Sequence, residues 1–310
     1  MTDVTINYLA VLARAAFKLP PNRAGGIGCH FGGVGVIRLT SQHEKYKLTE
    51  VRSTQYLVME QTMNQLIQAW NAALISVAQQ HKLDEHQPNT IPSNLERFTL
   101  EQFERRDVAP RFLVLTAPSG AGKGTVGKKL EDAGIRRLPR VNTRAPRPGE
   151  VEGVDYIFLS DDEYERQKAA GEILCPTEAI DKATGAIENK AGIPKQQLLE
   201  ALSRGEQFYI DSGAGTARNI KTEAALHDIP FVLVFLLPPS LEEMARRART
   251  RSAEERSQRS SKGTVTEDAL MRRLERAVRH LADTAQSIDV YVVNDDVDRA
   301  ARQIIKLFNY

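Results

Sequence analysis

The stretch that decides the fold is Phe112–Gly134, FLVLTAPSGAGKGTVGKKLEDAG. The apolar run FLVLT has the length of a buried strand, and KGTVGKKLEDAG has helical spacing and stops at a glycine. Between them Ala117–Thr125 reads APSGAGKGT. Strand, glycine-rich loop and helix in this order make an anion cradle: the glycines let backbone N–H groups close around oxygens, the helix N-terminus adds partial positive charge, and Lys123 adds a full one. Against the pattern G-x-x-x-x-G-K-[ST], Ala117 stands where the first glycine would be, and Gly124 takes the hydroxyl position with Thr125 after it. Ser119, Gly120, Ala121, Gly122, Lys123, Gly124 and Thr125 are therefore expected to hold the phosphates of a nucleotide, with Thr125 or Ser119 offering the metal-side hydroxyl.

Downstream the texture alternates. QFYID, FVLVFLL and DVYVV read as short strands separated by helix-like stretches, with a last helix at the C-terminus. That alternation predicts an α/β fold with a parallel sheet and helices on both faces. Upstream, Ser53–Gln80 carries Leu57, Met63, Leu66, Ile67, Trp70, Leu74 and Val77 at helical spacing, and His86–Asn94 (HQPNTIPSN) supplies a Pro/Asn-rich break. The expected division is an N-terminal α+β extension, residues 1–109, and a catalytic domain, residues 110–310. The glycines of Gly25–Gly35 run into Val36 and Ile37 like a strand, and no GK pair follows them. Cys29 and His30 in that run receive no chemistry without a third partner.

The chain has 310 residues with a formal net charge of +2, which gives no global reason to expect nucleic-acid or membrane-surface binding. Its two cysteines, Cys29 and Cys175, lack both metal-ligand spacing and the count of a disulfide framework, so a cytoplasmic setting is expected. The start of the chain shows no signal peptide pattern and no membrane span. Residues 1–109 are a candidate homodimerisation element, substrate-capping domain or targeting partner, and nothing in their sequence chooses among these.

Four further blocks then acquire meaning together: NTRAPRPGEVEGVDYIFLS (Asn142–Ser160), GEIL (Gly171–Leu174), LPPSLEEMARR (Leu237–Arg247) and VVNDD (Val292–Asp296). In this order and spacing after the phosphate loop, they resemble guanylate kinases, over the chain from residue 110 to its end. The resemblance implies a P-loop phosphotransferase with an acceptor-binding lobe and a lid, ATP as donor and Mg2+ as cofactor. It implies that Arg144, Arg147 and Tyr156 grip an acceptor phosphate, and that Lys123, Arg247, Arg251, Arg273 and Asp211 act on the transferring group. Thr125 and, through water, Asp211 are implied at the metal, and Asn294 on the adenine side.

The positions that read guanine in that family differ here. Arg140 stands for a serine, Cys175 for a glutamate, Ala191 and Ile193 for the YYGT block, and Gly213 for a second aspartate. Glu178 is the candidate for a displaced carboxylate, a solvated glutamate in a polar lid being the commoner case. The lid segment Arg246–Lys262 holds seven basic and two acidic residues, which makes it the local basic site. The expected acceptor is a nucleoside monophosphate other than ordinary GMP. A sugar phosphate or a modified or polymeric nucleotide is the second reading, and the lid is where nucleic acid would touch. The third reading is a non-catalytic interaction module, against which the intact GAGKGT stands.

Overall fold

The computed structural model describes residues 27–31, 35–42, 45–52, 54–83, 91–106, 108–147, 149–180, 187–223, 226–258 and 267–309. The chain divides into two units, 1–65 and 66–310. In the first, β1 (Ile27–Phe31), β2 (Gly35–Gln42) and β3 (Lys45–Arg52) form an antiparallel sheet in that order. Cys29 and His30 are thus strand residues, opposite Ile37 and Val36. The helix expected over Ser53–Gln80 is α1 (Thr54–Gln80), and the division falls within it.

After the end of α1, the second unit continues with α2 (Ile91–Glu104), β4 (Phe112–Thr116), α3 (Lys123–Asp132), β5 (Arg136–Leu138), β6 (Arg140–Asn142), β7 (Tyr156–Phe158), α4 (Asp161–Ala169), β8 (Ile173–Ile180) and β9 (Ile187–Pro194). It continues with α5 (Lys195–Ser203), β10 (Phe208–Ser212), α6 (Ala214–Asn219), β11 (Phe231–Leu237), α7 (Leu241–Gln258), α8 (Glu267–Thr284), β12 (Val290–Val293) and α9 (Val297–Lys306). The predicted parallel sheet is present in the order β12-β11-β4-β10-β5, with every neighbouring pair parallel.

Alternation along the strands sets its two faces. Leu113, Leu115, Val232, Val234, Leu236, Val290 and Val292 pack against Val126 and Leu130 of α3 and Ala300, Ala301 and Ile304 of α9. The intervening residues look the other way: Phe112 stacks between Phe208 and Phe231 at 5.3 and 5.2 Å, and Phe235 meets His280 of α8 edge-on at 5.4 Å. Because both faces are covered, β4 reads as a continuous apolar run rather than an alternating one. Each fully buried Phe or Leu contributes about 1.5–3 kcal/mol, so the strand that carries the phosphate loop is firmly anchored.

The outer edge of β12 is closed by α2. The amides of Tyr291 and Val293 point away from β11 and donate to Thr99 Oγ1 at 3.0 Å and Glu96 Oε1 at 3.2 Å. Both acceptors are buried, and Glu96 takes two further 3.0 Å bonds from Arg299. Side chains of a helix thus satisfy ladder donors that another strand would satisfy.

A second sheet, β7-β6-β9-β8, forms a smaller lobe. Its β6 runs parallel to β7 and antiparallel to β9. Val141, Tyr164 and Ile173 with Ile157 and Leu159 make its core face. Arg140, Asn142, Tyr156 and Phe158 occupy the opposite face, because in-register neighbours point the same way. Among the described residues no helix is long and apolar enough to cross a membrane.

Candidate functional site

The phosphate loop leaves the carboxyl end of β4 and turns through Gly120 (φ 101°) and Gly122 (φ 92°) into α3. Left-handed backbone at both positions is what glycine permits cheaply. Gly122 also faces a steric limit, since a Cβ there would lie 2.2 Å from Asn294 Nδ2. Asn294 is buried, its Nδ2 donates to Ala121 O at 2.7 Å, and its backbone N–H donates to Leu237 O at 2.8 Å. The side chain therefore pins the loop from the end of β12. Its Oδ1 is buried with no hydrogen-bond partner among the described residues.

Lys123, the first residue of α3, crosses to the end of β10. Its ammonium pairs with Asp211 and donates to Ser212 O at 3.0 Å. Thr125 and Ser119 are exposed, so both hydroxyls are free to meet an incoming ligand. Among the described residues no cluster of three His, Cys, Asp or Glu side chains is placed to hold a metal.

Arg247 of α7 reaches the same loop. Its Nη2 donates to Asn294 O at 3.0 Å and its Nε to Glu243 Oε1 at 2.8 Å, while Nη1 lies 3.9 Å from the Cβ position of Gly122. Glu243 is one helical turn earlier and is held by Arg246 and then Arg247, which lower its carboxyl to a pKa of about 2. Arg273 sits half-buried on α8 with no ion pair among the described residues. The backbone of Arg251 belongs to α7. Its side chain, and lid residues 259–266, lie outside the described residues.

Arg144 and Tyr156 come together. The Arg144 guanidinium lies 4.9 Å from the Tyr156 ring centroid and 5.6 Å from that of Phe158. Glu150 receives both Arg144 nitrogens, at 2.6 and 2.7 Å, and the Arg147 amide at 2.7 Å. These donors, Arg144 first, lower the Glu150 carboxyl below its usual range. Arg147 is exposed, its side chain without an ion pair among the described residues. Glu150 and Asn142, whose Oδ1 accepts from Arg144 N–H and Asn189 Nδ2, brace the loop, and no role was expected of either. The final glutamate of TRAPRPGE was the signal available for Glu150.

The base-reading positions are rebuilt rather than emptied. Cys175 lies in a bulge, where β8 passes from Leu174↔Ile193 to Thr177↔Ala191 with one residue more than β9. Its φ of 48° is left-handed, its side chain is 2% exposed, and its amide donates to Glu223 Oε2 at 2.9 Å. Burial and the nearby Glu223 raise the thiol pKa to about 12. The expectation for Glu178 fails: it pairs in register with Lys190 and lies 3.9 Å from Lys168. Lys190 itself pairs with Glu165 and Asp161 of α4, so Glu178 points off the back of the lobe. The carboxylate beside Cys175 is Glu223, 48 residues away in sequence, which no local pattern announces. Arg140 extends from β6 to α6, where Nη1 donates to Thr216 Oγ1 at 3.3 Å.

A phosphate-cradling loop with its lysine at the carboxyl edge of a parallel sheet, beside a lobe that presents arginines, is the layout of an ATP-dependent phosphotransferase. Comparison with known proteins agrees. The guanylate kinase family model matches residues 109–309. A guanylate kinase of Bifidobacterium longum is 38% identical over 200 residues, covering 63% of this chain and 92% of that one. One from Synechococcus sp. is 38% identical over 197 residues, with coverages of 63% and 92%. The crystal structure of guanylate kinase from Anaplasma phagocytophilum is 27% identical, covers 65% of this chain and 85% of that one, and superposes with a TM-score of 0.47. The chain belongs to the guanylate kinase family.

Proposed function

We propose that this protein transfers the γ-phosphoryl group of ATP to a phosphate-bearing acceptor, most simply a nucleoside monophosphate other than ordinary GMP. The observation that carries this reading is the convergence on the phosphate loop. Lys123 is oriented by Asp211 and Ser212 O, and Arg247 is fixed by Glu243 and Asn294 beside Gly122.

In this reading the loop amides and Lys123 bind the donor phosphates, and Asn294 secures the adenine-side end of the loop. Arg144, Arg147 and Tyr156 bind the acceptor phosphate, with Glu150 holding the Arg144 guanidinium in place. An oxygen of that phosphate attacks the γ-phosphorus, the bond to the bridging oxygen of ADP breaks, and ADP leaves with the electron pair. The attacking oxygen is already anionic, so no general base is required. Arg247, Arg251 and Arg273 neutralise the charge spread over the moving group.

The donor set suits a magnesium ion that arrives with ATP: one hydroxyl, Thr125, and one carboxylate, Asp211 through water, leave most positions to phosphate and solvent. Bound there, the ion supplies charge neutralisation of the donor phosphates. A second reading, an acceptor that is a sugar phosphate or a modified or polymeric nucleotide, is favoured by the replacement of the guanine-reading side chains at Arg140, Cys175 and Gly213.

The test is ATP consumption by the purified protein against ribo- and deoxyribonucleoside monophosphates and sugar phosphates, beside Lys123→Ala. Turnover with at least one acceptor, lost in the variant, is expected. No turnover with any of them would sink the kinase reading. GMP turnover above that with every other acceptor would overturn the exclusion of GMP.

A further inference from the structure

Arg140 is placed between the two halves of the site. It is in register with Tyr156 on the neighbouring strand and shares its face, about 4.8 Å away by strand spacing. Its side chain reaches α6, which begins three residues after Asp211. It therefore lies between the acceptor-phosphate grip and the end of β10 that orients Lys123.

Its hydrogen bonding is incomplete. Nη1 is anchored on Thr216 Oγ1, and Thr216 is itself 1% exposed. Nε is buried with no partner, and among the described residues no carboxylate pairs with this guanidinium. Arg144 of the same lobe has Glu150 as its counter-charge, and Arg137 on β5, whose Nε is likewise buried without a hydrogen bond, has Asp155. An inward-facing cation without a counter-charge is costly unless a ligand supplies one. Guanidinium groups donate only, and Nη2, which makes no hydrogen bond among the described residues, is the donor left for an oxyanion of a carboxylate or phosphate. Glu223, the carboxylate beside Cys175, is already engaged by the Cys175 amide.

We propose that Arg140, anchored by Thr216, is a second anion subsite within the acceptor pocket, so that the true acceptor carries another oxyanion, a carboxylate or a second phosphate, besides the phosphate that is phosphorylated. The proposal rests on the kinase reading for the word acceptor, but the subsite itself is testable by binding alone.

The experiment measures binding without ATP, and then turnover with ATP. The ligands are matched pairs: uridine monophosphate against its carboxylated analogue orotidine monophosphate, and a pentose monophosphate against a pentose bisphosphate. At least one doubly anionic ligand is expected to bind about 10–100-fold more tightly than its partner, the scale of a charge-assisted hydrogen bond. Arg140→Ser is expected to bring that ratio near one while leaving ATP affinity unchanged, and Arg140→Lys to retain only part of it. Thermal melts of both variants establish that they fold, and Thr216→Val, which removes the anchor, is expected to lower the ratio with Arg140 intact. The carboxylate and phosphate arms identify which oxyanion is read. Equal binding within both pairs, or a ratio that survives Arg140→Ser, overturns the subsite. A ratio with no ATP turnover leaves the subsite standing and removes the kinase reading instead.

Discussion

His280 Nε2 lies 2.8 Å from Thr116 Oγ1, at the point where β4 becomes the phosphate loop. The Thr116 hydroxyl also lies 3.3 Å from Ser212 O, the carbonyl that receives the Lys123 ammonium at 3.0 Å. One hydroxyl proton serves one acceptor, so the arrangement closes when Nε2–H donates to Thr116 and Thr116 donates to Ser212. His280 thereby ties α8 to the strand behind Lys123, and Arg273 lies two turns earlier on the same helix. His280→Ala is expected to lower kcat by about 10-fold or more with little change in the KM for ATP, as loss of an orienting contact does. Partial recovery in His280→Gln, which keeps a donor, distinguishes positioning from packing.

The same histidine sets a pH dependence of stability. Burial, then the charges of Lys123 and Arg218, lower its pKa to about 4. The unfolded chain takes up the proton near the ordinary value of 6.5, before the folded chain does, so the unfolded state binds more protons between these values. Stability is therefore expected to fall as pH drops from about 6.5 to about 4, by about 3 kcal/mol, and to lose no more from this group below that range. Urea melts of the wild type and His280→Gln across pH 4 to 7 check it, the variant lacking this slope.

Gly122→Ala is expected to abolish tight ATP binding with the sheet still folded. The new methyl group would be strained at φ 92° and driven into Asn294 Nδ2, displacing the side chain that pins the loop. A loss of about 100-fold in ATP affinity, about 3 kcal/mol, in titration calorimetry is the expected result. An unchanged affinity would show that the loop tolerates the shift.

Glu150→Gln is expected to weaken the acceptor grip and leave the donor side alone. The amide supports one Arg144 nitrogen in place of two charge-assisted bonds, so the acceptor KM should rise about 10-fold while the KM for ATP stays constant. Initial-rate kinetics with each substrate varied separately decide this.

Cys175 should resist alkylation in the native protein. With the thiol buried and its pKa raised to about 12, the thiolate is scarce at pH 8. Site-resolved mass spectrometry after iodoacetamide should find Cys175 modified only when the reaction is run in denaturant.

The sheet was legible because its strands lie between two helical layers, and such strands leave unbroken apolar runs in the sequence. The phosphate loop was legible because glycine, lysine and helix start lie next to one another in the chain. Arg144, Arg147 and Tyr156 were marked by a local motif. What stayed hidden depends on distant pairing. Glu223 meets Cys175 across 48 residues, and Thr116 meets His280 across 164. Glu178 misled because nearness in sequence stood in for nearness in space: it lies three residues from Cys175, yet it pairs in register with Lys190 and lies 3.9 Å from Lys168. Glu96 and Thr99 look like ordinary polar positions of a surface helix, and nothing nearby in the sequence indicates a strand edge some 190 residues on.

That edge has a consequence for shortened forms of the chain. The segment matched by the family begins at residue 109, after α2 has ended. A protein cut there would present the outermost β-strand, VYVV, as an unguarded apolar ribbon with the amides of Tyr291 and Val293 open to any incoming backbone. Such a ribbon is a template for intermolecular cross-β growth. Upstream residues therefore act as a built-in solubility tag, and kinase preparations that lack them should cloud on warming while the full chain stays clear.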